Sequence, residues 1–197
     1  MPRPTDHAKR RQEVAAIASA LVAEGGTEAV TFRDVAKAAG CSTAIVSHYF
    51  ADKRELLLHT YRAAAARAGE RIDAALRSDG ADVDGALDAL LPLDEARRTD
   101  WKIWFAFWGK AIGDPELAAE QASAVREARR RLETVIAAAR DSGRLGTGVD
   151  DAFAARRLLT VVLGIAVQVV FDPNDWPASR QRAIVAHAGS AQHGRQP

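Results

Sequence analysis

The residues best suited to chemistry in this chain lie in one short stretch, Gly40–Leu56, which reads GCSTAIVSHYFADKREL. A helix is predicted here from Thr43 to Phe50, and its apolar residues Val46 and Phe50 lie one turn apart and are expected to face inward. The outward face then carries short or polar side chains, namely Thr43, Ala44, Ser47 and His48. Such side chains suit close contact with the edges of base pairs in the major groove of DNA, which an α-helix can enter.

The elements before this helix are predicted to hold it in place. From Lys9 to Glu24, apolar residues recur every three or four positions, which indicates an amphipathic helix. A second helix begins after Thr31, a favourable N-cap, with Asp34 placed to complete a short capping box, and it ends at Gly40. The next N-cap, Ser42, follows almost at once, so the two helices must cross at a sharp turn. This arrangement is a helix-turn-helix.

The rest of the chain is also predicted to be helical. Apolar residues make up 48% of the 197 positions and aromatic residues only 6%, while alternating β-branched runs are nearly absent, which favours an all-α fold. A long fourth helix is expected from Asp52 to about Arg77, with Asp52 as its N-cap and Glu55 at the reciprocal capping-box position. After a loop over 78–85, further helices follow at 84–91, 94–112, 115–142, 151–171 and 177–188. We predict a three-helix helix-turn-helix domain over 1–51, a larger helical domain over 52–188 and a disordered tail over 189–197.

Charge and cysteine usage favour a soluble, cytoplasmic protein. The net charge of +1 excludes a globally basic nucleic-acid binder, although basic residues cluster near the N-terminus. The single cysteine, Cys41, cannot form an internal disulfide, and the N-terminus lacks the apolar centre of a secretion signal. The most apolar run, Leu158–Phe171, is shorter than the roughly 20 residues that a membrane span needs, so no membrane association is expected.

No pattern typical of an enzyme is found. The sequence has no nucleophile elbow and no glycine-rich phosphate loop, and its five histidines are scattered and never paired with the cysteine. We therefore expect no catalytic residues, no metal site and no cofactor.

The stretch TFRDVAKAAGCSTAIVSHYFADKREL, residues 31–56, resembles the DNA-binding motif of the TetR family of transcriptional regulators. The resemblance extends over residues 9–62, while Cys41, Ala44 and Ser47 stand where Val, Gly and Tyr are common. The segments STAIVSHYF and DWKIWFAFWGKA, the latter at 100–111, are similar to the BetI-like branch, which is named for a choline-responsive repressor. The resemblance implies a sequence-specific DNA-binding regulator, commonly a repressor that a small-molecule effector releases from its operator.

On this interpretation the outward face of the third helix contacts base edges of a double-stranded operator, with the Ala44 methyl suited to thymine. Phosphate contacts are assigned to hydroxyl, phenol and cationic groups around that helix: Thr31, Ser42, Tyr49, Lys53, Arg33, Arg10 and Arg11. The alternative makes Tyr49 a core aromatic and Lys53 a solvated charge. Phe50 is predicted to be core, and Cys41 is interpreted as a small turn residue rather than a redox switch.

One such module contacts few base pairs, so a homodimer on two half-sites is expected. The helix over 151–171 is apolar nearly all round, and one face can cover its own core while another meets a partner. The resemblance implies that the last two helices of each subunit form a four-helix interface, in which Gly164 and Ala166 permit close approach. We assign dimerisation to Leu158, Val162, Ile165, Val169 and Ile184. The alternative is a helix buried wholly in the monomer core.

Aromatic side chains define the predicted effector site. Trp101, Trp104, Phe105 and Trp108 fall at i, i+3, i+4 and i+7 of one helix, and Tyr61 is added from the fourth helix. Stacked rings could hold a quaternary ammonium compound such as choline by cation–π attraction, but the effector is not identified. The same rings can instead form core, and both roles can coexist. A competing hypothesis for the whole chain is an architectural or protein-interaction module that keeps the helix-turn-helix but selects no operator.

Overall fold

The structure is a computed structural model that describes residues 4–78, 81–146 and 150–190. Within these residues the chain forms helices and no β-strand, which confirms the all-α prediction. The helices are α1 (Pro4–Gly25), α2 (Phe32–Ala38), α3 (Thr43–Tyr49), α4 (Lys53–Arg77), α5 (Val83–Leu90), α6 (Glu95–Ala111), α7 (Pro115–Asp141), α8 (Asp151–Phe171) and α9 (Ala178–Ser190).

The helix bounds follow the sequence pattern with a few differences. α1 begins at Pro4 rather than at Lys9. α5 begins inside the predicted 78–85 loop, because the Asp82 carboxylate accepts a hydrogen bond from the Gly85 amide (2.8 Å) and caps the helix there. α9 runs to Ser190, so the start of the predicted 189–197 tail is helical, and the rest of that tail lies outside the described residues.

The turn between α2 and α3 is built from two backbone hydrogen bonds. The Gly40 amide donates to the carbonyl of Lys37 (3.3 Å) and the Cys41 amide to that of Ala36 (3.0 Å). This pattern is a Schellman motif, and Gly40 adopts the left-handed conformation (φ 59°) that the motif requires. Its residue type therefore determines where α2 stops and how soon α3 starts.

The start of α4 is capped from two sides. The Glu55 amide donates to the Asp52 carboxylate (2.7 Å), as predicted for an N-cap. The Glu55 carboxylate, expected to bond the Asp52 amide, accepts instead from the Ala51 amide (2.7 Å). The link between α3 and α4 is thus held through side chains of the first turn of α4.

The contacts divide the chain into two compact units. The first comprises the residues up to 65 together with 102–118, and the second comprises 66–101 together with the residues from 119 onward. In the first unit α2 packs on α1 and α3 around fully buried Val14, Val30, Val35, Val46 and Phe50. The predicted domain boundary at residue 51 stays a prediction, since this grouping places the first half of α4 with the helix-turn-helix.

In the second unit α8 packs against α9 and α5 and forms much of the core. One of its faces is buried: Ala154, Ala155, Leu158, Val162, Ile165, Ala166 and Val169. α8 has 21 residues, and among the described helices it is the one that is long and apolar enough to cross a membrane by length and composition. The length of its apolar run is therefore not enough to exclude a membrane span. The core helix of a soluble protein passes the same test of length and composition.

Candidate nucleic-acid interface

α3 presents a short polar face to solvent. The four predicted base-contacting residues are all exposed: Thr43, Ala44, Ser47 and His48. Val46 and Phe50 are fully buried, and together they orient the helix with this face outward. None of the four exposed side chains is long, so backbone and base edges could approach closely.

Sequence reasoning missed Ile45 on the same helix. Its side chain is 37% exposed, which is unusual for a large apolar residue in so short a helix. Ile45 lies on the side of α3 that also carries Tyr49, four positions later. An exposed branched side chain at this place can contact a thymine methyl group. The sequence could have indicated this exposure, because Val46 and Phe50 already define the inward face of the helix and Ile45 does not share their side.

The hydroxyl groups assigned to phosphate differ in their surroundings. The Thr31 hydroxyl accepts from the Asp34 amide (3.2 Å) and the Thr31 amide donates to the Asp34 carboxylate (3.1 Å), which confirms the predicted capping box. The Thr31 hydroxyl also donates to that carboxylate (2.5 Å). The hydrogen bond from Thr31 lowers the pKa of Asp34. The Ser42 side chain is exposed and makes no capping hydrogen bond at the start of α3. Its hydroxyl is therefore better placed for a phosphate than that of Thr31.

Several basic residues assigned to phosphate contact carboxylates of their own chain. Arg10 pairs with Glu13 (2.7 Å), and Lys53 lies 3.8 Å from Glu28. Arg11 pairs with Glu55 (2.9 Å), and its guanidinium lies 5.1 Å from the centre of the Phe50 ring. Arg33 is exposed, and Tyr49 is half-buried with its ring edge against His48. Since exposed ion pairs are weak, phosphate can replace the carboxylate partners at small cost.

The aromatic residues assigned to the effector are largely buried. Tyr61 and Trp104 belong to the first unit, where the Tyr61 ring stacks on Phe107 with centroids 4.0 Å apart. Phe105 and Trp108 are half-buried in the same unit and meet edge to face at 5.1 Å. Phe107 was not predicted, although it lies three positions after Trp104.

Trp101 belongs to the second unit and has a structural contact there. Its indole N–H donates to the carbonyl oxygen of Leu90 (2.8 Å), and the side chain is buried. A buried indole whose N–H is satisfied by the backbone is typical of a core tryptophan. This contact ties the start of α6 to the end of α5.

The residues assigned to dimerisation fall on different faces. Leu158, Val162, Ile165 and Val169 are buried within their own chain, so they have no area left to offer a partner. Ile184 on α9 is 39% exposed and remains available. Periodicity alone could not separate the faces of α8, because large apolar residues lie on both of them, with Phe153, Val167 and Phe171 on the exposed side.

The open face of α8 lies on the other side of the helix. Its exposed residues recur at three or four positions and form one stripe: Phe153, Arg156, Thr160, Gly164, Val167, Gln168 and Phe171. Phe171 is 82% exposed and Val167 40%. A Cβ added at Gly164 would meet no atom within 4 Å, so this glycine is not needed for packing inside the chain.

Two family models match this chain. Residues 16–60 match the one described as bacterial regulatory proteins, tetR family. Residues 79–192, more than half of the chain, match the one described as BetI-type transcriptional repressor, C-terminal.

Individual relatives agree with both matches. The HTH-type transcriptional regulator PksA of Bacillus subtilis (strain 168) is 30% identical over 195 residues, which cover 96% of this chain and 93% of PksA. A crystal structure of a transcriptional regulator from Rhodococcus sp. Rha1 superposes with a TM-score of 0.78 at 27% identity, covering 90% of this chain and 92% of the other. A regulator from Saccharomonospora viridis in complex with choline has the same fold, with a TM-score of 0.79 at 22% identity and coverage of 91% and 95%.

Proposed function

We propose, because this chain belongs to the TetR family of bacterial regulatory proteins and has a BetI-type C-terminal region, that it binds one operator as a homodimer and represses transcription until a small molecule releases it. The chain is a transcriptional regulator and not an enzyme. Regulators of this family are soluble proteins that bind DNA, and we assign this one to the cytoplasm, where its DNA would be.

The exposed face of α3 is the observation that supports operator binding. It combines hydroxyl and imidazole groups at Ser47 and His48 with apolar contact surface at Ala44 and Ile45. Donors, acceptors and methyl-contacting groups on one helix face are what reading of the major groove requires. The Ser42 hydroxyl and Arg33 flank this face and would hold the helix in register through phosphates.

The direct test compares specific and scrambled DNA. The full chain is titrated by fluorescence anisotropy against a labelled duplex from the DNA that flanks its own gene, and against a scrambled duplex, at two salt concentrations. We expect a preference of about 10³ or more that persists at the higher salt. Equal and steeply salt-dependent binding to both duplexes, repeated with duplexes from a random library, would favour the architectural module instead.

For the dimer we propose an interface on the open stripe of α8 together with Ile184 of α9. The stripe places small residues, Thr160 and Gly164, between large ones, which lets two helices approach closely. A partner across a twofold axis would cover Phe171 and Val167, which are otherwise exposed apolar groups. This assignment replaces the four core-facing residues of α8 predicted from the sequence.

For the effector we propose a site that uses the aromatic cluster around Tyr61, Phe107 and Trp104. The stacked pair Tyr61–Phe107 is buried, while the half-buried rings of Phe105 and Trp108 give an apolar surface that can attract a cation. A regulator of the same fold was crystallised with choline, which makes choline a reasonable first probe without naming the effector of this chain.

Trp104→Ala separates a pocket residue from a core residue. Operator affinity is measured with and without choline chloride as the first probe, followed by a small-molecule panel. A pocket wall predicts that the variant keeps operator affinity but loses release. Equal loss of both, together with a fall in thermal midpoint, would assign Trp104 to the core.

A further inference from the structure

The turn between α6 and α7 is grouped with the helix-turn-helix rather than with the second unit. Residues 102–118 belong to the first unit, together with α1, α2 and α3. Within them three charged residues, Lys110, Asp114 and Glu116, contact the helix-turn-helix region, and we call these three the corner clamp. None of them was singled out by the sequence, because their partners lie far away in the chain.

The first contact of the corner clamp is made at the start of α4. The Arg54 guanidinium donates to both carboxylate oxygens of Asp114, one of them at 3.1 Å, and also to the Glu116 carboxylate at 2.8 Å. Bidentate pairs of this kind fix orientation as well as distance. The hydrogen bond from Arg54 is the main cause that lowers the pKa of Asp114, so the carboxylate is ionised at neutral pH.

Asp114 also caps α7. Its Oδ1 accepts hydrogen bonds from the amides of Glu116 (3.0 Å) and Leu117 (3.1 Å). One side chain therefore ends the turn, starts α7 and holds Arg54. α4 and α7 both continue into the second unit, so the chain itself links this contact to that unit. A change in the second unit on effector binding could therefore separate Arg54 from Asp114.

The second contact of the corner clamp is made before α2. The Lys110 ammonium donates to the Glu28 carboxylate at 2.5 Å, and Lys53 lies 3.8 Å from the other oxygen of Glu28. Glu28 thus stands between a residue of α6 and a residue assigned to phosphate contact. These charges line a surface cleft of about 610 Å³ whose apolar lining is Leu57, Phe107 and Leu117.

The first turn of α4, which carries Arg54, is joined by a short connection to α3, the proposed recognition helix. Only 50–52 separate the two helices, and Phe50 is fully buried. The Ala51 amide donates to the Glu55 carboxylate and the Glu55 amide donates to the Asp52 carboxylate, and both hydrogen bonds restrain this connection. We therefore expect a shift of the first turn of α4 to shift α3 as well.

We propose that Asp114 and Lys110 are positioning residues for operator binding, which hold the recognition helix through Arg54 and Glu28 in the orientation that binds DNA. The inference rests on the proposed function, because it presupposes an operator. Loosening the clamp lowers the fraction of the protein that is competent to bind, and the apparent dissociation constant rises in proportion. Substitutions along such a coupling path change affinity by about twofold to thirtyfold without touching either ligand.

The experiment uses Asp114→Asn and Arg54→Gln, singly and together, in the full chain. Asn caps helices about as well as Asp, so Asp114→Asn keeps the cap of α7 while it removes the charge that holds Arg54. The operator is the duplex that the wild type selects from a random library, and dissociation constants are measured by anisotropy at three salt concentrations. Lys110→Gln, which affects no cap, tests the second contact.

A matched control is available in the second unit. Asp88 holds Arg182 in a bidentate pair, with the guanidinium nitrogens 2.7–3.0 Å from its oxygens. Asp88→Asn removes an ion pair of the same type, and both of its residues belong to the second unit. Thermal unfolding of every variant is followed by circular dichroism.

We expect Asp114→Asn to bind the operator about three to ten times more weakly than the wild type, and Lys110→Gln, which breaks a single exposed ion pair, about threefold more weakly, both with an unchanged salt slope. The double variant is expected to bind the operator no more weakly than the weaker-binding single variant, since both substitutions break the same contact between Arg54 and Asp114. Three outcomes would overturn the proposal: affinities of the variants within twofold of the wild type, losses that add in the double variant, or the same loss in Asp88→Asn. A different pattern would also overturn it: a salt slope that falls by about 1 in Arg54→Gln while operator binding by Asp114→Asn stays at the wild-type value. Arg54 would then contact a phosphate itself. A wild type that selects no sequence would instead overturn the proposed function.

Discussion

α3 and α8 each leave one face outside the core of the chain, but the two faces differ in their chemistry. The open face of α3 is short and mostly polar, while that of α8 carries large apolar residues, Phe171 and Val167, beside the polar Arg156 and Gln168. On α3 polarity separated the inner face from the outer one, except at the exposed Ile45. On α8 large apolar residues lie on both faces, and only packing against α5 and α9 shows which of them is covered. A polar pattern can therefore be assigned from the sequence, whereas an apolar helix with two contact faces cannot.

The largest effect is expected on the buried face of α8. Leu158→Ala should lower the free energy of unfolding by about 3 kcal/mol, because it removes a buried side chain and leaves a cavity. Denaturant unfolding followed by circular dichroism measures it, at the same protein concentration for wild type and variant so that the concentration-dependent contribution of dimerisation is matched. A loss that disappears on dilution below the dimer dissociation constant would place Leu158 at the partner surface after all.

The next effect is expected on the open face of the same helix. Val167→Glu should weaken the dimer by about 50-fold or more, because a twofold interface brings the unpaired carboxylate in twice. Val125 on α7 has nearly the same exposure (41% against 40%), so Val125→Glu is the matched control. Sedimentation equilibrium of both variants decides the point. Equal dimerisation of the two would remove the α8 stripe from the interface.

On α3 a smaller and more selective effect is expected. His48→Ala should weaken operator binding about tenfold and leave binding to scrambled DNA unchanged, because a base contact is lost. Lys53→Gln is the comparison, since loss of a phosphate contact should weaken both duplexes alike. Anisotropy titrations on both duplexes give the two ratios. If His48→Ala weakens both equally, the imidazole does not select bases.

The smallest effect is a pH dependence of the free energy of unfolding, which arises at His59 next to the Phe50 ring. The half-buried His59 ring lies 5.5 Å from that of Phe50, and the groups that act on it are Arg11, Glu55 and Arg62. Burial, followed by the positive charge of Arg11, lowers the pKa of His59 below its usual 6.5.

The sign of the effect follows from that shift. The unfolded chain takes up the proton first as the pH falls through about 6.5, so the stability contributed by neutral His59 is complete above that pH and is lost below it. His59→Gln should flatten this part of the stability curve, measured by urea unfolding between pH 7.5 and 5.5. An unchanged slope would assign the dependence to other groups.

The local elements followed closely from the sequence. The capping box of Thr31 and Asp34 and the glycine turn at Gly40 depend on residues only a few positions apart, so their geometry is decided locally. The predicted donor to the Glu55 carboxylate was wrong by one residue, because the spacing alone does not tell whether the amide of residue 51 or that of residue 52 donates to it. The phosphate assignment of Arg11 ignored Glu55, its partner 44 positions away.

The sequence by itself determined the helical fold, the positions of its helices and the outward face of α3. These features depend on periodicity, caps and glycine conformations, which act over one or two turns. The tertiary structure decided which side of α8 is buried, that Trp101 bonds the backbone at Leu90, and that Arg54 meets Asp114 across 60 positions. Burial and ion pairing depend on what the rest of the chain places beside a residue, and local sequence carries no record of those neighbours.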